Sequence, residues 1–348
     1  MKNENIKVGI IGATGYAGAE LVRLLLAHPN ATIASIGSVS FEGKKLSEVY
    51  PAYQNLCDMV CENNSDIAKK SDIVFAALPH GLSQDLAYDC YSSGKIFIDL
   101  GADFRLEDED EYKQWYNGEF KHKALHKEAA YGLPELNRAS IAGKKIIANP
   151  GCYTTCVPLG LAPALKNGLV EQSGIICDCK SGVTGAGRGL SQNTHFAELN
   201  EGLAPYKVAT HRHTPEIEQT LSKLCGDKIT LTFVPHLLPV NRGILATCYS
   251  KVKSGVTFEQ ICTAYEEAYK NEFFVRLLAP GKCADIHNVR YSNFCDISLH
   301  FDERTNTLIT VSALDNMVKG AAGQAIQNMN ILFDLPEETG LTATPPAF

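Results

Sequence analysis

The stretch "IKVGIIGATGYAGAELVRLLLAHP" constrains this chain more than any other. Ile6 to Ile11 is a short apolar run and predicts a buried strand. Gly12, Gly15 and Gly18 follow at intervals of three. Glu20 to Ala27 then predicts a helix, stopped by His28-Pro29. A strand that turns through glycines into a helix leaves unpaired N–H groups at the helix start. It also lets the backbone approach a phosphate closely. The spacing is GxxGxxG rather than GxGxxG. The flanking strand and helix therefore carry the dinucleotide reading against that of a plain turn.

The pattern repeats. "ATIASIG", "SDIVFAALPHG" and "KIFIDLGADFRL" are further strands separated by helical stretches. This alternation predicts an α/β fold with a doubly wound parallel (Rossmann) sheet. After "ATIASIG" come Ser38, Val39 and Ser40, with Glu42 near and then Lys44 and Lys45. No carboxylate stands at the strand tip to hold ribose hydroxyls. The strand end therefore favours the 2′-phosphate of NADP, unless the serines only turn the chain. His80 sits in a turn where such sheets face ligands. Arg105 is a planar cation at a strand's carboxyl end, suited to a carboxylate or phosphate, or else paired with Asp103 or Glu107.

"NPGCYTTC" puts Cys152 between the strand Ile146 to Ala148 and a segment that predicts a helix ending near Asn167-Gly168. The N–H groups at a helix start stabilise a thiolate. Cys156, one turn on, packs inward. Pro158 breaks a helix that begins at Cys152, so a later start is expected. A thiolate nucleophile needs a proton-transfer partner. "ATHRHTPEIEQ" offers His211 and His213 just before a helix start at Thr214-Pro215. Either serves as acid/base; as metal ligands they lack a third partner. "KSGVTGAGRG" is a glycine-rich loop in which Ser181 and Arg188 suit an anion or the cofactor, or form plain surface. Sheet is expected through "FVPHLLPVNRGILATCYS" and "LITVSALDN", and helix from Gly320 onward.

Composition excludes several classes. The net charge of −7 is wrong for nucleic acid but does not disfavour a small anionic substrate. No apolar run approaches a membrane span and no cleavable leader is visible. The 12 cysteines are scattered, without the CxxC pairs of a zinc site, and are expected as reduced thiols of a cytoplasmic protein. No metal is expected. With 348 residues the chain has room for two domains. They are expected at 1–150 with 315–335 (dinucleotide) and at 151–314 (α+β, catalytic and oligomerisation), with 336–348 as a tail.

Eight motifs in order, "GATGYAG", "ALPHG", "DLGADFRL", "YGLPELNR", "NPGCYTT", "KSGVTGAGR", "HRHTPEIEQ" and "DNMVKGAAGQAIQN", cover roughly Lys7 to Asn328. Together they resemble the N-acetyl-gamma-glutamyl-phosphate reductases of arginine biosynthesis, relatives of aspartate-semialdehyde dehydrogenase. The resemblance implies reduction of an acyl phosphate with NADP(H) through a Cys152 thioester, with release of inorganic phosphate. It implies His213 or His211 as acid/base, Asn316 near the nicotinamide carboxamide, and Arg105, with Arg188, toward the substrate. Gly12, Thr14, Gly15, Tyr16, Gly18, Ser38, Pro79, Ser181 and Gly182 would complete the cofactor site. A homotetramer is usual in the family. Thr154 and Cys156 stand where members commonly have small residues or Pro, and Val39 where some have Arg. The rival readings are an enzyme of the same group acting on another acyl phosphate, such as aspartyl phosphate, and a non-catalytic dinucleotide sensor.

Overall fold

The computed structural model describes residues 5–348 and divides into two units. The first runs to Gly151 and takes in Ala321–Thr342. The second is Cys152–Gly320 with Ala343–Phe348. Residues 315–320, expected with the dinucleotide domain, therefore group with the second unit.

In the first unit, β1 (Ile6–Ile11), β2 (Ala31–Gly37), β3 (Cys61–Glu62), β4 (Ile73–Ala76), β5 (Ile96–Asp99), β6 (Ala130–Tyr131) and β7 (Ile146–Ala148) form one sheet. Its order is β3-β2-β1-β4-β5-β7-β6, and every pairing is parallel. β4 is buried along its whole length, as a strand covered on both faces must be. The chain leaves β1 toward β2 on one side, while β4 lies on the other. This is the switch point outside whose carboxyl ends ligands bind.

Helix α1 spans Tyr16–Leu25, four residues earlier than the apolar pattern suggests. Ala17-Gly18-Ala19 carry little hydrophobic signal, yet these small residues enter the helix because they pack under the turn. A Cβ on Gly18 would lie 2.1 Å from the Gly12 carbonyl oxygen. Helix α2 covers Gln84–Ser92.

The second sheet is mixed. It contains β8 (Ile175–Gly182), β9 (Ala204–Pro205), β10 (Leu231–Leu238), β11 (Ile244–Lys251), β12 (Val275–Leu277), β13 (Cys295–Asp302) and β14 (Thr307–Leu314). The order is β12-β13-β14-β11-β8-β10-β9. Along β11 buried residues alternate with half-exposed ones, so one face makes core and the other stays open. Helix α3 (Cys152–Lys166) packs against β11 and β14 and meets α4 (His213–Cys225) and α5 (Phe258–Tyr269).

Helix α3 corrects the later start expected from Pro158. It begins at Cys152 and holds both Pro158 and Pro163 in its interior. An interior proline costs about 3 kcal/mol, whereas each fully buried large apolar side chain returns about 1.5–3 kcal/mol. Val157, Leu159, Leu161 and Leu165 are all buried, so packing wins.

A π turn over Val318–Ala322 leads into helix α6 (Gly323–Leu332), which returns to the first unit. There Asn330 bonds His28 and the carbonyls of Glu337 and Thr339, and Arg138 pairs with Glu337. The stretch read as a tail is thus packed as far as Thr342. Among the described residues, no helix is long and apolar enough to cross a membrane.

Candidate active site

The glycine turn of the first unit fits a dinucleotide. Gly12 has φ +80°, and a Cβ there would lie 2.4 Å from the Ala77 carbonyl oxygen. Gly15 caps α1, whose first turn holds no acidic residue to repel a phosphate. Tyr16 is the first residue of that helix and is partly exposed. Thr14 and Ser38 are buried and share a hydrogen bond of 2.7 Å, which ties the turn to the end of β2. The Tyr50 hydroxyl donates to the Thr14 carbonyl oxygen. Glu62, on neighbouring β3 opposite Gly37, is a carboxylate that the linear reading did not place near this end. It is paired to Lys70 at 2.6 Å. Val39 is exposed. Pro79 stands at the exposed tip of the loop after β4, and His80 beside it lies edge-on to Tyr116.

Arg105 is buried. Its Nε donates to the Asn149 carbonyl oxygen at 2.8 Å and its guanidinium to the Leu100 carbonyl oxygen at 2.7 Å. The Asn149 side chain is held by the Ala321 carbonyl and by Asn328. The chain just ahead of Cys152 is therefore fixed on both its backbone and its side chain. Long-range partners like these leave no local sequence signal.

In the second unit Cys152 is the first residue of α3 and is half-buried. A Cβ on Gly320 would fall 2.8 Å from the Cys152 Cβ, so the π turn closes on the thiol's own backbone only because residue 320 is glycine. His213 opens α4. His211 lies among Tyr153, Tyr206 and Phe233, with ring centroids 5.7, 5.5 and 5.3 Å away, and 4.8 Å from His213. Its Nδ1 accepts the His213 backbone N–H at 3.1 Å, which assigns the ring proton to Nε2. Burial, reinforced by the nearby His213, pushes the His211 pKa down to about 2. The two helix starts are joined by a buried bond in which Thr154 Oγ1 donates to Glu216 at 2.7 Å. Thr154, a departure from the family pattern, thus has a defined partner.

Ser181, Gly182 and Asn316 also come together. A Cβ on Gly185 would lie 3.5 Å from Ser181 Oγ and 3.7 Å from Asn316 Nδ2. Asn316 accepts from the Gly243 N–H and donates to Thr184 Oγ1. Arg188 lies in an exposed loop beyond this group. Among the described residues, no three His, Cys, Asp or Glu side chains are grouped to hold a metal.

The displaced His211 pKa predicts a pH effect on stability. The folded value is depressed and an unfolded histidine titrates near 6.5, so the contribution is whole above about 6.5. It is lost as pH falls toward the folded value. At pH 4.5 the loss is about 2–3 kcal/mol. Urea unfolding of wild type and His211→Gln should show a stability difference that narrows from pH 7 to 4.5. Parallel pH curves would refute this.

Residues 7–144 match the family model described as "Semialdehyde dehydrogenase, NAD binding domain", and residues 152–316 the one described as "Semialdehyde dehydrogenase, dimerisation domain". The fold is that of aspartate semialdehyde dehydrogenase II from Vibrio cholerae, solved in complex with ASA. The TM-score is 0.74 at 18% identity, over 95% of this chain and 99% of that one. The Candida albicans enzyme with NADP gives 0.70 at 17%, over 94% and 98%. Among curated proteins, the N-acetyl-gamma-glutamyl-phosphate reductase of Clostridium botulinum is 54% identical over 99% of this chain and 100% of its own length. That of Brachyspira hyodysenteriae is likewise 54% identical, over 99% and 100%. At that identity over full length, the chain belongs to the N-acetyl-gamma-glutamyl-phosphate reductase family.

Proposed function

We propose that the chain reduces N-acetyl-L-glutamyl 5-phosphate with NADPH, giving N-acetyl-L-glutamate 5-semialdehyde and inorganic phosphate, in arginine biosynthesis. The observation that carries the mechanism is the pairing of two helix starts in one unit. Cys152 opens α3, His213 opens α4, and the buried Thr154–Glu216 bond ties them together.

Cys152 Sγ attacks the acyl carbonyl as the thiolate. The bond from that carbon to the phosphate oxygen breaks, and phosphate leaves with the electron pair. A thioester remains on Cys152, its carbonyl more electrophilic than that of a carboxylate. Gly12, Thr14, Gly15, Tyr16, Gly18, Ser38 and Pro79 would hold the cofactor, and Ser181, Gly182 and Asn316 are further cofactor residues in this reading. When bound, NADPH supplies a hydride, a reduction no side chain can provide. His213 takes the thiol proton before attack, gives it to the oxyanion formed when the thioester carbonyl is reduced, and takes it back as the thiohemiacetal collapses, which frees the aldehyde and returns the sulfur as thiolate. His211, held neutral with its proton on Nε2, is a hydrogen-bond donor rather than the proton carrier. Arg105 and Arg188 supply positive charge for the substrate's anionic groups.

The open face of the second sheet and the dimerisation-domain match support a homo-oligomer, a tetramer in this reading. Twelve free cysteines fit a cytoplasmic setting.

The test runs the reaction backwards. N-acetylglutamate semialdehyde with NADP should give phosphate-dependent NADPH formation, and aspartate semialdehyde should give little. Turnover of aspartate semialdehyde alone would point to the neighbouring activity, and no turnover with either to a sensor. NADPH should also bind more tightly than NADH, because Ser38 rather than a carboxylate follows β2. The margin should be modest, since Val39 brings no charge. Equal dissociation constants would refute the preference.

A further inference from the structure

The loop from Ala77 to Ser83 leaves β4 directly against the glycine turn, with the Ala77 carbonyl facing Gly12. It therefore forms a wall of the switch-point crevice. Its tip, Pro79 to Leu82, is exposed, whereas its base is held by a wholly buried carboxylate. Asp103, from the turn after β5, accepts the Gly81 N–H and the Tyr112 hydroxyl on Oδ1, and the Ser83 N–H on Oδ2 at 2.8 Å. A second buried carboxylate stands behind it. Asp99 accepts from Ser83 Oγ at 2.7 Å, from the Gly101 N–H at 2.9 Å and from the Asp103 N–H at 3.2 Å.

Two acids buried side by side are costly. Burial, then the neighbouring Asp103, pushes the Asp99 pKa up to about 6. A turn at Gly81, with φ +86°, needs no such pair merely to form. A carboxylate does what an amide cannot, because both its oxygens accept, so it gathers two loop N–H groups and a hydroxyl at once. We propose that Asp103 is a positioning residue for the dinucleotide, and that with Asp99 behind it, it holds the 79–82 loop in the shape that closes on the cofactor. The proposal rests on the dinucleotide reading of this crevice. Arg105, two residues on, donates to the Asn149 and Leu100 carbonyl oxygens. The effect should therefore fall on the cofactor and spare the acyl substrate.

In Asp103→Asn an amide N–H₂ must face a loop N–H or the hydroxyl, with little change of volume. Fluorescence titration of the whole protein without substrate should show the NADPH dissociation constant rising by about tenfold, as for a lost buried hydrogen bond. The KM for semialdehyde and for phosphate, and kcat at saturating cofactor, should stay within about twofold, a split that a general loss of structure would not give. Tyr112→Phe removes one donor but keeps both loop N–H bonds, and should leave NADPH affinity unchanged. If Asp103→Asn does not fold, Ser83→Ala carries the test with a rise of roughly threefold, since it removes only the hydroxyl bond to Asp99. Normal NADPH binding by Asp103→Asn, or an equal loss in Tyr112→Phe, overturns the role of Asp103. A wild-type protein that binds no NADPH overturns the dinucleotide reading, and the proposal with it.

Discussion

Cys152→Ala should abolish turnover, a loss on the order of 10⁶ where the nucleophile carries the covalent step. NADPH binding should persist, because the glycine turn proposed to hold the cofactor belongs to the other unit. The structure sharpens the chemical test of this thiol. Burial pushes the Cys90 thiol up to about 12 and raises those of Cys61, Cys225 and Cys262. None of these is a good thiolate at neutral pH. Cys283 is exposed and is the real competitor for alkylation. Iodoacetamide should therefore modify Cys152 and Cys283, with inactivation following Cys152 alone. Retained activity with Cys152 fully alkylated would end its assignment as nucleophile.

His213→Asn should lower kcat by roughly 10²–10⁴, the usual share of general acid–base catalysis. The loss should hold across pH 6–9, a range bracketing unperturbed His and Cys values of about 6.5 and 8.5. His211→Asn should act mainly on substrate affinity. Its ring is already committed through Nδ1 to the His213 backbone and is kept neutral by burial. If both variants keep wild-type kcat, the pair is structural and another group moves the proton. If His211→Asn loses more kcat than His213→Asn, the roles are reversed.

Features that the sequence expresses within a few neighbouring residues were legible in it. β1 and β7 fall where the apolar runs place them, and the strand–turn–helix at Gly12 to Gly18 is present. The small residues at the start of α1 carry too little apolar periodicity to mark it, whereas the prolines of α3 argue locally against a helix that tertiary packing holds. The hidden parts of the candidate site depend on distant partners. Glu216 bonds Thr154, 62 positions away, and Asp103 reaches back 20 and 22 positions to Ser83 and Gly81. Gly320 gave a weak hint as a glycine in "MVKGAAG", but only the approach to Cys152 gives it meaning. Asp103, two residues before Arg105, accepts from the backbone of the loop after β4, a role that its place in the sequence does not announce.

The account turns on a thioester at Cys152, and a burst experiment reads it directly. Enzyme mixed rapidly with N-acetylglutamate semialdehyde and NADP, without phosphate, should form one NADPH per subunit and then stall. The peptide containing Cys152 should carry the acyl group by mass spectrometry, and added phosphate should restart turnover. Phosphate-dependent turnover with no burst, or an acyl group on any cysteine other than Cys152, would contradict the account.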